Sequence, residues 1–111
     1  MMTDRELLVL AAKAAGVPGH FFENHPEDGA PTYSCGIGFP ARLTIWNSLT
    51  NKGDAMGLQV SLMLDVRHTS DEVAVRALFD EWMTEPVCGD RLQATCRATT
   101  RAAAAIGKVM P

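Results

Sequence analysis

The chain has 111 residues, 47% of them hydrophobic and 21% charged, with a formal net charge of −3. That length predicts a single domain over residues 1–111, and that composition excludes a disordered polar polymer. No apolar run approaches the ~20 residues of a membrane span, no secretory leader is visible, and the acidic balance argues against broad nucleic-acid affinity.

The first predicted element is a helix over residues 4–15. Thr3-Asp4-Arg5-Glu6 reads as a capping box, with the Thr3 hydroxyl accepting from residue 6 and Glu6 reaching back to the Thr3 amide. Leu7, Leu8, Leu10, Ala11, Ala14 and Ala15 then recur at helical spacing, with Val9 among the polar residues opposite. Gly16 stands where a left-handed cap is wanted, and Pro18 forbids continuation.

Residues 17–45 are punctuated by glycine and proline and read as turn-rich. Asn24 to Gly29 is expected as an exposed loop, and Thr32 to Cys35 and Arg42 to Trp46 as short β-prone runs. Gly36-Ile37-Gly38 lacks the third glycine, the lysine and the following helix of a phosphate loop. The two glycines are expected to mark a turn between strands.

Trp46, Asn47, Gly53 and Asp54 form the most informative stretch and are expected to be structural. Asn51-Lys52-Gly53 predicts a turn, and Asp54 a cap for a helix from Ala55 to about Met63. That helix is apolar nearly all round, with Ala55, Leu58 and Leu62 on one side and Met56, Val60 and Met63 on the other. Such a helix is expected to be sandwiched in the core, although a methionine stripe can also serve as an adaptable binding surface.

Residues 64–87 carry conflicting signals. Leu64 to Arg67, a turn at His68 to Asp71, and alternating Val73, Val75 and Ala77 spell a hairpin. Thr69-Ser70-Asp71-Glu72 is also a capping box, and Val75, Leu78, Phe79 and Trp82 fit a helical stripe. Valine and tryptophan favour strands, so a hairpin or meander is expected.

The last helix is the clearest. Asp90 and Gln93 form a variant capping box before an alanine-rich run from Arg91 to Ile106. Leu92, Cys96, Thr99, Ala103, Ile106 and Met110 share one face, and Arg97, Arg101 and Lys108 the opposite one. The small residues predict close packing on the sheet or the first helix, and Gly107 is expected to begin fraying the end. The fold expected from these elements is α+β: a small antiparallel sheet covered by an N-terminal helix, a short central helix and a long C-terminal helix.

Charge divides along the chain. Residues 54–90 hold eight acids and two bases, net −6, whereas residues 91–111 hold four bases and no acid, net +4. The two segments are expected to attract each other in the fold. Cys35, Cys88 and Cys96 are odd in number and match no zinc spacing, so reduced thiols in a cytoplasm are expected, with no metal and no cofactor. His20, His25 and His68 are scattered over expected loops and turns. Asp54, His68 and Cys35 could supply chemistry only if folding joined them, and nothing in their spacing requires it, so the chain is expected not to be an enzyme.

Three ordered stretches together resemble the NinX-like family, small phage- and prophage-encoded proteins of unknown function. They are Thr3 to Leu8 with Ala11 to Gly16, Trp46 to Leu58, and Ala94 to Gly107. The family's middle pattern, W-N-P-L-x-D-D-G-D-A, has Ser48 here in place of proline and Asn51-Lys52 in place of an acidic pair. Its closing pattern, A-T-R-R-A-I-V-R-A-A-A-x-I-G, appears here as Ala94 to Gly107. The resemblance implies a phage origin and a bacterial host cytoplasm, and carries no catalytic residue. The function it suggests is an accessory protein that binds a host bacterial protein, for instance to inhibit a defence or nucleic-acid machinery, with no membrane contact. The partner surface expected from the acidic stretch is Asp71, Glu72, Asp80, Glu81 and Glu85, with Phe79 and Trp82 as anchors. The alternative is nucleic-acid binding through Arg97, Arg101 and Lys108, with an affinity that falls with salt.

Overall fold

The computed structural model describes residues 2–23, 35–38, 45–78 and 80–111. Helix α1 spans Asp4–Ala15, strand β1 His20–Glu23, strand β2 Cys35–Gly38 and helix α2 Lys52–Ser61. Strands β3 (Asp65–His68), β4 (Glu72–Arg76) and β5 (Met83–Pro86) follow, and helix α3 (Arg91–Val109) closes the chain. The fold is α+β, with the expected N-terminal, central and long C-terminal helices. Its strands form two antiparallel sheets, one of β1 and β2 and one a β3-β4-β5 meander.

Both terminal helices start where their caps lie. The Thr3 hydroxyl accepts from the Glu6 amide at 3.2 Å, and Asp90 accepts from the Gln93 amide at 3.0 Å. Glu6 does not reach the Thr3 amide; its carboxylate accepts the Thr3 hydroxyl instead. Gly16 caps α1 in the left-handed conformation.

Helix α3 is the spine. Its small residues let three partners approach at once. Val73 and Val75 of β4 pack on Ala94, Ala98 and Ala102. Ala11 of α1 and Leu58 of α2 meet Ala103. Leu8, Ala12 and Ile37 form a further cluster, and half-buried Trp46 touches both of the last two, at the margin of the core as expected. Helix α1 lies alongside α3 in the same sense, with Asp4 against Arg97 and Leu10 against Gly107. Gly107 does not fray: the helix continues to Val109, and Gly107 is buried where α1 crosses. Leu92, expected on the buried face, is instead 52% exposed.

The meander resolves the conflict over residues 64–87. Val66 pairs with Val75, and Val75 with Met83. The Thr69 hydroxyl accepts from the Glu72 amide at 3.1 Å, as it would in a helix cap, while the Thr69 amide donates to the Glu72 carbonyl at 2.9 Å. The second bond closes a hairpin and the chain turns back. His68 is the last residue of β3 rather than part of the turn, and His20 opens β1 rather than sitting in a loop.

Two expectations around β2 and α2 are corrected. Gly36 and Gly38 lie within β2, not in a turn. Ile37 exchanges both backbone bonds with Trp46 at 2.8 Å, and a Cβ on Gly36 would fall 2.5 Å from the Trp46 carbonyl oxygen. Glycine is needed there for close approach of the passing chain. Helix α2 begins at Lys52, and its cap is Asn51, whose Oδ1 accepts from the Asp54 amide at 3.0 Å. Asn51 caps as well as an aspartate does and stands earlier in the chain, so it sets the start. The Asp54 carboxylate is thereby released to accept from the Asn47 amide at 2.9 Å. Nor is α2 sandwiched: Ala55 and Leu58 are buried, but Met56 and Val60, with Met63 just beyond the helix, face solvent. The expected loop at Asn24 to Gly29, His25, and most of the two β-prone runs lie outside the described residues.

Candidate functional site

The expected acidic surface is divided among three places. Asp71 and Glu72 sit at one end of β4, where the Asp71 carbonyl accepts from the Val87 amide. Asp80 and Glu81 lie beyond the other end, in the connection to β5, and are exposed. Trp82 is half-buried, with the guanidinium groups of Arg76 and Arg67 at 4.3 and 4.9 Å from its ring. Phe79 lies outside the described residues. Glu85 occupies the opposite face of the sheet, in register with Val73, and turns to α3.

There Glu85 meets two of the three residues of the alternative surface. Its carboxylate pairs with Arg101 and lies 3.9 Å from Nε of Arg97. Arg97 also holds Asp4 at 3.1 Å, and Arg101 donates to the Thr84 carbonyl at 2.9 Å. The acidic middle and the basic end do attract each other here. Lys108 is exposed and has no ion pair among the described residues.

A third place comes from residues that the acidic and basic surfaces omit, and it includes Met56 of the methionine stripe. An open groove of about 690 Å³ runs between α2, β3 and the first turns of α3. Val66 and Cys96 line it, Met56 and Leu92 form its apolar lips, and Lys52, His68 and Arg91 stand at its rim. No carboxylate lines it, in a chain whose net charge is −3. Met56 and Leu92 are 63% and 52% exposed, and Val60 extends the apolar surface along α2. The Arg91 guanidinium is held by the Thr69 and Ser70 carbonyls at 2.6 and 3.2 Å, with Nη1 3.1 Å from Nδ1 of His68. It has no carboxylate partner among the described residues.

Lys52 and Arg91 share an unusual placement. Each is the first residue of its helix, directly after the cap, at the end where the helix dipole is positive. Stability favours acids there, not bases. Asp54 and Asp90 do stand nearby, but their carboxylates accept the amides of Asn47 and Gln93. Two cations and two helix N-termini thus converge on one apolar groove. The signal that could have found it is the cap-then-cation order, Asn51-Lys52 and Asp90-Arg91, together with the methionine stripe on the α2 segment.

Cys96, in the groove wall, is 2% exposed, and burial pushes its thiol above the usual range, with the Asp90 charge adding to the effect. Iodoacetamide at neutral pH is therefore expected to alkylate exposed Cys88 and to spare Cys96. The neutral thiol is favoured in the folded state, so folding stability should decline as pH rises past the ordinary thiol range, and Cys96→Ala should remove that decline. Rapid neutral-pH labelling of Cys96, read by mass spectrometry, would contradict this burial.

Among the described residues, no group of three or more His, Cys, Asp and Glu is placed to hold a metal ion. Likewise, no helix is long and apolar enough to cross a membrane. Comparison with family models, curated proteins and solved structures finds no match to this chain.

Proposed function

We propose that the protein is a non-catalytic binding module that docks an acidic, apolar-anchored segment of a partner protein in the groove between α2, β3 and α3. The observation that carries this reading is the rim. Lys52 and Arg91 stand at the first positions of two helices, over an apolar groove lined by no carboxylate. A cation at a helix N-terminus costs a few tenths of a kcal/mol, roughly 0.3–1 in the unfavourable sense, and an anionic partner would reverse the sign. Exposed Met56 and Leu92 supply the apolar contacts, and a methionine surface adapts to helical partners. In the phage setting that the sequence resemblance implies, the partner is a host bacterial protein, and the module acts by occupying it.

The test uses two designed amphipathic helical peptides with the same leucine stripe, one otherwise rich in glutamate and one in lysine. The glutamate peptide is expected to bind, to shift the amide resonances of Met56, Val66 and Leu92, and to weaken as salt rises. Met56→Asp with Leu92→Asp changes only exposed side chains and should reduce that affinity at least about tenfold, since interface anchors contribute about 1.4 kcal/mol or more. Asp80→Lys with Glu81→Lys should leave it unchanged. Equal binding of the lysine peptide, or shifts centred on Asp80 to Trp82, would reject the groove in favour of the acidic connection.

A further inference from the structure

On the opposite side of α3 from the docking groove lies a second concavity, of about 570 Å³. Its apolar walls include Leu7 of α1, Met83 of β5 and Ala105 of α3. Arg97, Arg101, Lys108 and Glu85 supply its polar groups, three cations and one carboxylate. A recess of this size, mostly apolar with a few convergent charges, has the make-up of a small-molecule site.

The arginines are arranged for recognition rather than simple neutralisation. Nη1 of Arg101 serves both the Thr84 carbonyl and the Glu85 carboxylate. A guanidinium carries five N–H donors, so those on Nε and Nη2 keep their capacity while the group is clamped. Glu85 is itself held from both sides, by Arg101 and Arg97, and its side chain is 18% exposed. Lys108 lies about two turns further along the same stripe, with no ion pair among the described residues. A clamped guanidinium and a free ammonium beside an apolar wall are complementary to one anionic head with a nonpolar tail.

The geometry points to a binding site for a small amphipathic anion, a carboxylate or sulfate head on a short apolar chain. The head takes the open edge of Arg101 and the ammonium of Lys108, and the tail lies against Leu7, Met83 and Ala105. Duplex nucleic acid fits less well. Arg97 and Arg101 are drawn toward Glu85 in a recess, which leaves Lys108 as the exposed phosphate contact of the three.

The experiment titrates octanoate, below its micelle concentration, into the full chain and follows amide resonances. Octanol, acetate and phosphatidylglycerol vesicles are the controls. Octanoate is expected to bind saturably at one site, shifting Met83, Arg101 and Ala105, while octanol and acetate bind at least about tenfold more weakly, because each lacks one half of the recognised pair. Arg101→Gln should abolish the site. Lys108→Met alters an exposed side chain with no ion pair among the described residues, so the fold should tolerate it, and it should weaken octanoate about threefold or more. Absence of saturable shifts, equal binding of octanol, or octanoate binding indifferent to Lys108→Met would overturn the proposal. Vesicle binding lost in Lys108→Met, without binding of free octanoate, would replace the free anion with a membrane lipid and overturn it equally.

Discussion

Gly107→Ala is expected to destabilise the protein by about 3 kcal/mol, against the usual sign for a helical glycine. In most helix interiors alanine is favoured over glycine by about 1 kcal/mol, because it loses less backbone entropy on folding. At Gly107 a Cβ would fall 2.0 Å from the Leu10 carbonyl oxygen and 2.8 Å from its carbon. Those are backbone atoms of α1, and no side-chain rotation can move them. Helix α1 would have to shift away from α3, opening the contacts of Ala11 with Ala103 and Leu58. Gly57 of α2 is the matched control: it is exposed, and a Cβ there meets nothing within 4 Å. Gly57→Ala should therefore stabilise by about 1 kcal/mol. Urea titration of the two variants should move the midpoints in opposite directions. A Gly107→Ala protein as stable as the parent would mean that the two helices do not touch backbone to backbone.

Legibility in the sequence follows the range of the interaction that sets each feature. The starts of α1 and α3 were legible because Thr3 and Asp90 act on amides three residues away. The same local signature misleads at Thr69-Ser70-Asp71-Glu72, since its first bond is common to a helix cap and to this hairpin turn. What decides there is the pairing of β4 on both sides, a contact between segments distant in sequence. Exposure of Met56, Val60 and Leu92 was illegible for the same reason, because periodicity says which residues share a face but not whether anything covers it.

Charge shows the limit most clearly. Acids close in sequence at residues 71–85 part in space, because β4 separates Asp71 from Asp80 and alternation turns Glu85 to the far side of the sheet. The alternative surface stays on one face of α3, but Arg97 and Arg101 are engaged by that same glutamate. Two buried hydroxyls, by contrast, find each other across the fold. Ser48 lies between β2 and α2 and Thr100 in α3, and their hydroxyls lie 2.7 Å apart. Thr100 donates its single proton to the Cys96 carbonyl, so Ser48 is the donor between them.

Asn47→Ala is expected to cost about 3 kcal/mol, more than loss of an ordinary helix cap. The side chain is a junction among three segments. Its Oδ1 accepts from the Leu49 amide at 2.9 Å, and its Nδ2 donates to the Cys35 carbonyl at 2.8 Å. Its own backbone amide meets Asp54 at 2.9 Å. Asn47 is 6% exposed, so water does not readily replace a missing partner. Alanine removes both side-chain bonds, one to β2 and one to the segment leading into α2, and leaves the Leu49 amide unsatisfied at about 1–3 kcal/mol. Asn47→Asp should fare no better, because it keeps the acceptor for Leu49 but sets a carboxylate oxygen against the Cys35 carbonyl. Asp54→Ala removes one bond to the same junction and should cost about 1 kcal/mol. Urea melts give the magnitudes, and hydrogen exchange locates them: protection should fall first at Ile37, Trp46 and Leu49 rather than in the meander. An Asn47→Ala protein with unchanged midpoint and unchanged Leu49 protection would show that the chain between β2 and α2 is held by other contacts.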